Sequence, residues 1–260
     1  MKSFLNVIAL LLFSLPVVAE VPIYDYQIVA RYPHNTASFT QGLEFHDGFL
    51  YEGTGKNGRS TLSKINLEDG QVLQSKRLAS RYFGEGISIV GERIFQLTWQ
   101  SNIVFVHDLN SFETITSHYH PTEGWGLTFD GEQLILSDGS ATLQFIDPET
   151  FQVSRTVEVT LQGRPIRNLN ELEYINGEVW ANVWMTNEIV RIDPANGNIN
   201  SVVDLNGLID ETTVGGSDGV LNGIAWIPSA DPEASAGSGR LFVTGKLWAD
   251  LFEIEIAVAE

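Results

Sequence analysis

Short runs of apolar and β-branched residues recur along the chain from about residue 24 to residue 256. Turn residues separate these runs, among them the pairs Asp130-Gly131 and Asn176-Gly177, which favour tight hairpins. No segment carries a sustained apolar stripe of helical period. The pattern therefore predicts an all-β domain.

The runs are organised as a repeat. Five units open with similar runs, about 40 to 52 residues apart, which is close to the length of a propeller blade; they lie at residues 42–45, 86–89, 126–129, 171–174 and 223–226. Each opener is followed by a turn, a second run and a third run, and four of the five units have a fourth. We therefore predict four-stranded meanders packed radially as a five-bladed β-propeller.

The fifth unit lacks a fourth run of its own. The additional run at residues 24–32 precedes the first unit, so we predict that this N-terminal strand completes the last blade and closes the ring. Residues 20–260 then form a single domain. We expect a long connecting loop at residues 206–221 and a polar hairpin excursion at residues 230–240.

Residues 1–19 have the pattern of a secretory signal peptide. Lys2 is followed by an apolar run from residue 4 to residue 18, and small residues precede a cleavage point after Ala19. The alternative is an anchoring helix, but the run contains Pro16 and is short for the roughly 20 apolar residues of a membrane span. We expect a mature protein without a membrane anchor, periplasmic or secreted.

The net charge and the absence of cysteine exclude several kinds of partner and reactive group. The formal charge is −18 and becomes −19 when Lys2 is removed with the leader, so a nucleic-acid partner is not expected. The chain has no cysteine, which excludes disulfides, thiolate nucleophiles and thiolate metal sites. We expect a monomer, as is common for closed propellers.

The candidate functional residues lie where the repeat predicts a shared rim. In a propeller the first strands line the central channel, and the second strands end at the same rim as the first strands begin. Polar and aromatic residues occupy these positions: Phe39, Gln41, Phe83, Glu85, Trp99, Trp125, Asp138, Asn170, Trp184, Asn222 and Lys246. A few polar groups within an aromatic wall are typical of a small-ligand pocket.

Each of these residues also has a structural interpretation. The tryptophans are able to pack between blades, and the amides of Gln41, Asn170 and Asn222 are able to satisfy backbone groups. Lys246 is able to pair with a carboxylate. His118 and His120 have a spacing that a metal can use, but no third ligand is evident and we favour a strand end.

Ten motifs in order resemble the glutaminyl cyclases of the plant and bacterial type, over residues 24–256: FTQGLEF, YEGTG, FGEGI, LTW, EGWGLT, LSDGS, LNELE, ANVW, LNGIAW and VTGKLW. The resemblance implies a five-bladed propeller that converts the N-terminal glutamine of peptides or proteins into pyroglutamate with release of ammonia. It implies no cofactor and no catalytic metal.

The resemblance also implies roles for individual residues. Its essential acid–base carboxylate falls on Glu85 in FGEG, and its polar substrate residues fall on Gln41, Asn170 and Lys246. Its aromatic wall falls on Phe39, Phe83, Trp99, Trp125 and Trp184. We predict that Glu85 transfers the proton, and that Lys246 or Asn170 stabilises the developing oxyanion.

Three alternatives remain open from the residues alone. A lactonase-type propeller would hold a metal through Glu85, Asn170 and Asn222. A glycosidase would use two carboxylates, and Glu123 and Glu171 also lie at blade openings. A non-enzymatic propeller would use the rim aromatics to bind peptides or partners.

Overall fold

The computed structural model describes residues 20–210, 214, 216–231, 234, 235 and 237–258. The signal peptide predicted at residues 1–19 lies outside them. Across the described part, the prediction of an all-β protein is confirmed: its single helical element is the 3₁₀ turn Gly216–Asp218. No helix in the same residues is long and apolar enough to span a membrane.

The chain begins with one strand, β1 (Ile23–Pro33), and then forms an antiparallel meander in which each strand pairs with the next. The meander consists of β2 (Thr40–His46), β3 (Phe49–Thr54), β4 (Thr61–Ile65) and β5 (Val72–Arg77). This sheet corresponds to the first predicted unit.

Two further meanders follow with the same strand order. The second sheet consists of β6 (Gly84–Val90), β7 (Arg93–Thr98), β8 (Ile103–Asp108) and β9 (Thr114–Tyr119). The third consists of β10 (Leu127–Phe129), β11 (Leu134–Ser137), β12 (Thr142–Ile146) and β13 (Val153–Glu158).

The second half of the chain begins with a small hairpin that the repeat did not predict, β14 (Thr160–Leu161) and β15 (Arg164–Pro165). Two further groups of strands follow. They are β16 (Leu169–Ile175), β17 (Glu178–Val183), β18 (Glu188–Ile192), β19 (Ile199–Asp204), β20 (Leu221–Pro228), β21 (Gly239–Gly245) and β22 (Asp250–Val258).

Strand β1 joins the last two groups into one eight-stranded sheet, in the order β16-β17-β18-β19-β1-β22-β21-β20. It pairs antiparallel with β22 along its length, for example Tyr26 with Ile256. Its first residues also pair in parallel with β19, Ile23 with Val202. The sequence repeat predicted a partner at β22 but not this second partner at β19.

The first strands of the groups adjoin one another in a closed sequence: β2 beside β6, β6 beside β10, β10 beside β16, β16 beside β20, and β20 beside β2. The core fills the spaces between neighbouring groups. Phe95 of the second sheet and Leu134 of the third belong to one buried cluster, for example. Burying such a side chain stabilises a fold by about 1.5–3 kcal/mol, so the stacking of successive sheets stabilises the whole assembly.

Three glutamates on the first strands point into the space that these strands enclose. Glu171 accepts hydrogen bonds from the backbone N–H groups of Leu43 (3.1 Å) and Ile224 (2.9 Å) and so ties β16 to β2 and β20. Burial raises the pKa of Glu171 and Glu173 well above their usual range and that of Glu44 to about 8. These glutamates link strands and do not line the cavity described below.

Candidate active site

The polar candidates lie at irregularities near the beginnings of the first strands. The pairing register shifts around Gln41 in β2, around Glu85 in β6, around Asn170 in β16 and around Asn222 in β20. A β-bulge redirects a side chain out of the regular alternation of a strand. The repeated irregularity therefore directs polar groups from four strands towards one end of the enclosed space.

A cavity of about 240 Å³ opens at this end. It is lined by all nine residues to which the family resemblance assigns a role: Phe39, Gln41, Phe83, Glu85, Trp99, Trp125, Asn170, Trp184 and Lys246. It is smaller than the roughly 300–1,000 Å³ typical of drug-sized pockets. The cavity therefore suits a group of about the size of one amino-acid residue.

Glu85 lies in the cavity with its side chain almost fully buried, 4% of the residue being exposed. Burial raises its pKa well above the usual range for a glutamate, and the negative charge of Glu123 acts in the same direction. Lys246 and a hydrogen bond from Gln41 oppose the shift without cancelling it. A raised pKa makes a carboxyl group a better acceptor of the proton that an attacking amine gives up, as general acid–base catalysis requires.

Gln41 is held in place by Asn222. The Nδ2 group of Asn222 donates to the side-chain Oε1 of Gln41 (3.1 Å) and to the backbone oxygen of Thr40 (3.0 Å). With its oxygen engaged in this way, Gln41 directs its amide N–H groups to Glu85. Asn222 thus acts behind the cavity wall, as an orienting residue whose role the motifs did not reveal.

Lys246 follows β21, is 4% exposed, and has its Nζ 4.8 Å from the centroid of the Phe39 ring. Burial lowers its pKa to about 8, and Lys56 acts in the same direction, while Glu85 acts to raise it. At neutral pH most of its ammonium groups are therefore charged and available to stabilise a developing negative charge.

Asn170 presents a buried side-chain oxygen to which the described residues supply no donor. Leaving a buried polar atom unpaired costs about 1–3 kcal/mol. The atom lies on a residue that lines the cavity, so an N–H group of a bound ligand would satisfy it.

Gly126 controls the position of Asn170. A methyl group on Gly126 would lie 1.9 Å from the backbone oxygen of Asn170. The same oxygen accepts a hydrogen bond from the hydroxyl group of Ser137 (2.6 Å), and this hydroxyl also accepts one from Gly126 N–H (2.8 Å). The two strands approach each other this closely because residue 126 has no side chain.

We expect Gly126→Ala to lower the free energy of unfolding by roughly 3 kcal/mol, the upper end for an overpacked site. The displaced Asn170 should also lower kcat/KM by roughly ten-fold, because small misplacements are costly in an active site. Urea unfolding and steady-state kinetics measure the two effects. Gly131→Ala is the control for the kinetics: the positive φ of Gly131 (101°) makes alanine strained there and should lower stability, but a methyl group meets nothing within 4 Å, so kcat/KM should not change. Unchanged kinetics in Gly126→Ala would contradict this role.

The glycines on either side of Glu85, Gly84 and Gly86, have a related function. Neither residue has a positive φ. A methyl group on Gly84 would lie 2.7 Å from the backbone oxygen of Thr54, and one on Gly86 would lie 2.6 Å from that of Trp125. The absence of side chains at Gly84 and Gly86 therefore lets neighbouring backbone segments pack closely against them. This packing fixes the backbone that carries Glu85.

Two further charged residues line the cavity, and the sequence pattern did not place them there. Lys56 and Asp218 form an ion pair of 2.8 Å, and both line the cavity. The Nζ of Lys56 also lies 4.0 Å from the centroid of the Phe39 ring. Both residues belong to segments that connect strands. The repeat of strands does not predict where the side chains of such segments lie.

Other polar candidates lie away from the cavity. Asp138 accepts a hydrogen bond from Gln144 (3.2 Å) and does not line the cavity. His118 stacks on the ring of Phe151 at 5.2 Å, and His120 contacts the same ring edge-on at 5.8 Å. These two histidines therefore pack against a buried aromatic residue at a strand end, the interpretation we favoured.

A family model, a related sequence and a solved structure all match this chain over most of its length. The family model described as glutamine cyclotransferase matches residues 5–256. A glutaminyl-peptide cyclotransferase of Arabidopsis thaliana is 41% identical over 241 residues, which cover 91% of this chain and 73% of that protein. The crystal structure of Myxococcus xanthus glutaminyl cyclase is similar with a TM-score of 0.83 and 37% identity, covering 93% of this chain and 100% of that one. The similarity therefore extends over both sequence and fold.

Proposed function

We propose that this protein, which belongs to the glutamine cyclotransferase family, converts the N-terminal glutamine of peptides and proteins into pyroglutamate with release of ammonia. One observation carries the proposal beyond family membership. A buried Glu85 with a raised pKa lies in an aromatic cavity, with an amide donor and a buried ammonium group acting on it. These are the groups that an intramolecular attack on an amide requires.

Binding in the cavity prepares the attack. The α-amine of a peptide has a pKa of about 7.7–8.0, so a fraction is already neutral at pH 7. The reaction is intramolecular, and its main requirement is a geometry in which the amine reaches the side-chain carbonyl carbon. The aromatic wall excludes water, and the buried oxygen of Asn170 accepts an N–H group of the bound glutamine.

Glu85 transfers the proton that the reaction moves. The bond between the α-nitrogen and the side-chain carbonyl carbon forms, and the bond from that carbon to the amide nitrogen breaks. One proton passes from the attacking nitrogen to Glu85, and Glu85 protonates the departing nitrogen, which leaves as ammonia. General acid–base catalysis of this kind contributes a factor of about 10²–10⁴.

Lys246 stabilises the carbonyl oxygen as it gains negative charge during the attack. Its ammonium group is nearly buried, where an electrostatic interaction is stronger than in water. The chain's own residues supply every proton and charge that these steps use, and we propose that the reaction needs no cofactor or metal.

We further propose that the fold is a five-bladed β-propeller with β1 as the outer strand of the last blade. The closed sequence of first strands and the pairing of β1 with β22 support this interpretation. The last two blades then share one sheet through β1.

The signal-peptide pattern of residues 1–19 supports the proposal that the mature protein is exported and is a periplasmic or secreted enzyme without a membrane anchor. The closed arrangement of the strands favours a monomer, since radial packing of the sheets leaves only short edge strands for pairing.

Mass spectrometry tests the activity directly. A peptide that begins with glutamine should lose the mass of one ammonia when incubated with the protein, and its Asn-initiated counterpart should not change. A metal chelator should leave the rate unchanged, whereas a lactonase-type metal enzyme would be inactivated. A Gln-initiated peptide of unchanged mass, incubated with folded protein, would refute the proposed activity.

A further inference from the structure

The aromatic wall of the cavity consists of two separate runs of rings. In the first, the centroid of Phe83 lies 6.0 Å from that of Phe39 and 5.6 Å from that of Trp99. In the second, Trp125 and Trp184 meet edge-to-face at 5.6 Å. Trp99 and Trp184 are 38% and 37% exposed. Contacts between rings therefore cover only part of these two side chains at the mouth of the cavity.

Glu123 connects the two runs. Its Oε2 accepts a hydrogen bond from the indole N–H of Trp99 (2.7 Å) and another from that of Trp125 (3.0 Å). Its Oε1 accepts a third from the amide of Gln100 (2.9 Å). Both carboxylate oxygens are therefore engaged, and the side chain is fixed between the tryptophans.

The hydrogen bonds also keep Glu123 ionised. Burial acts to raise its pKa, but the donors Trp125, Gln100 and Trp99 outweigh this effect and hold the pKa below the usual range. A carboxylate that accepts several N–H bonds retains its charge in this way. The edge of the cavity therefore carries a permanent negative charge.

We infer that Glu123 is a positioning residue for the proposed reaction: its carboxylate clamps Trp99 and Trp125 in the cavity wall. The inference rests on the proposed function. The clamp pre-forms the wall before the substrate arrives, so the cost of ordering two large side chains is not incurred during binding. The charge acts on the group that transfers the proton, since Glu123 raises the pKa of Glu85.

The test begins with Glu123→Gln, which keeps the size of the side chain and removes its charge. We expect kcat/KM to fall by roughly ten-fold or more, the scale of small misplacements in an active site. The ionisation of Glu85 in the pH profile of kcat/KM should move to lower pH. Tryptophan fluorescence should become more sensitive to acrylamide, because the indoles are held less firmly.

Glu132→Gln is the matched control, because Glu132 is an exposed glutamate in a turn of the third sheet. It should leave the kinetics, the pH profile and the quenching unchanged. Melting temperatures of both variants establish that they are folded. A purely structural role for Glu123 would lower the melting temperature without moving the pH profile.

A double-mutant cycle with Trp99→Phe tests the clamp itself, since phenylalanine keeps a ring but has no N–H donor. If Glu123 acts through Trp99, the Glu123→Gln loss should be smaller in the Trp99→Phe background than in the wild type. Equal fold-losses in the two backgrounds, or an unchanged pH profile and quenching in Glu123→Gln, would overturn the inference. Quenching needs no turnover, so failure of the clamp is distinguishable from absence of the proposed activity.

Discussion

Glu85→Gln is expected to lower kcat for a Gln-initiated peptide by roughly 10³-fold, within the range of about 10²–10⁴ for loss of a general acid–base group. The glutamine amide has nearly the shape of the protonated carboxyl group but is unable to accept a proton from the attacking amine and pass it on. Ammonia release in a steady-state assay measures the loss. KM should change little, because the cavity wall and the other polar groups remain.

Asp218→Asn is the matched control, because Asp218 is a second carboxylate that lines the same cavity. It is paired with Lys56 at the mouth, and its neutralisation should change kcat no more than a few-fold. A near-wild-type rate in Glu85→Gln would remove Glu85 from the mechanism.

The stability of Glu85→Gln gives a check that does not depend on turnover. Folding raises the pKa of Glu85 above its ordinary value of 4.5, so the folded protein binds this proton more tightly than the unfolded chain. The wild type should therefore lose stability relative to Glu85→Gln as the pH rises from the ordinary value through the raised one. Below the ordinary value the difference between the two proteins should be constant.

Lys246→Met is expected to lower kcat by roughly 10²–10³-fold, the cost of removing one donor to a developing oxyanion. The pH dependence should change as well. In the wild type, activity should rise as the substrate amine loses its proton near pH 7.7–8.0 and fall as Lys246, with a pKa lowered to about 8 by burial, loses its own. Lys246→Met should lose the alkaline decline while retaining the acid limb.

Lys56→Met provides the comparison, since Lys56 also lines the cavity and also lies over the Phe39 ring. Lys56 belongs to the mouth, where it is paired with Asp218, and its loss should preserve the alkaline decline. An alkaline decline that persists in Lys246→Met would show that another group is responsible for it.

The repeat made the position of the cavity predictable. Strand beginnings and second-strand ends share one rim in a radial arrangement of meanders, and this rule alone selected Glu85, Asn170 and Lys246. The assignment of a proton-transfer role to Glu85 required more, because the repeat places both Glu85 and Glu123 within three residues of the start of a first run, at the same rim. The resemblance to a known family separated them.

Burial and hydrogen bonding explain why these two glutamates differ. Glu85 is enclosed, and burial raises its pKa well above the usual range. Glu123 meets two indole N–H groups and an amide, and its pKa is lowered. These contacts join Trp99, Trp125 and Gln100 across two sheets. The pattern of residue types along the chain does not show which side chains meet in this way.

Other features escaped prediction because they depend on contacts between distant segments. The ion pair of Lys56 and Asp218 joins residues 162 positions apart, neither of them in a strand. The parallel pairing of β1 with β19 requires that both strands meet at one edge, which becomes apparent only when the sheets are assembled. Asn222 was recognised as a rim residue, but its hydrogen bond to Gln41 was not.

The central claim is that burial raises the pKa of Glu85 well above the usual range, so that this group accepts the proton of the attacking amine and passes it to the departing nitrogen. Infrared difference spectroscopy of the wild type minus Glu85→Gln, recorded as a function of pH, isolates the carboxyl band of Glu85 from those of the other buried glutamates. We predict a protonated carboxyl band that persists well above the ordinary glutamate pKa and titrates together with an ionisation in kcat/KM. A band that titrates at the ordinary glutamate pKa of 4.5 would contradict the claim.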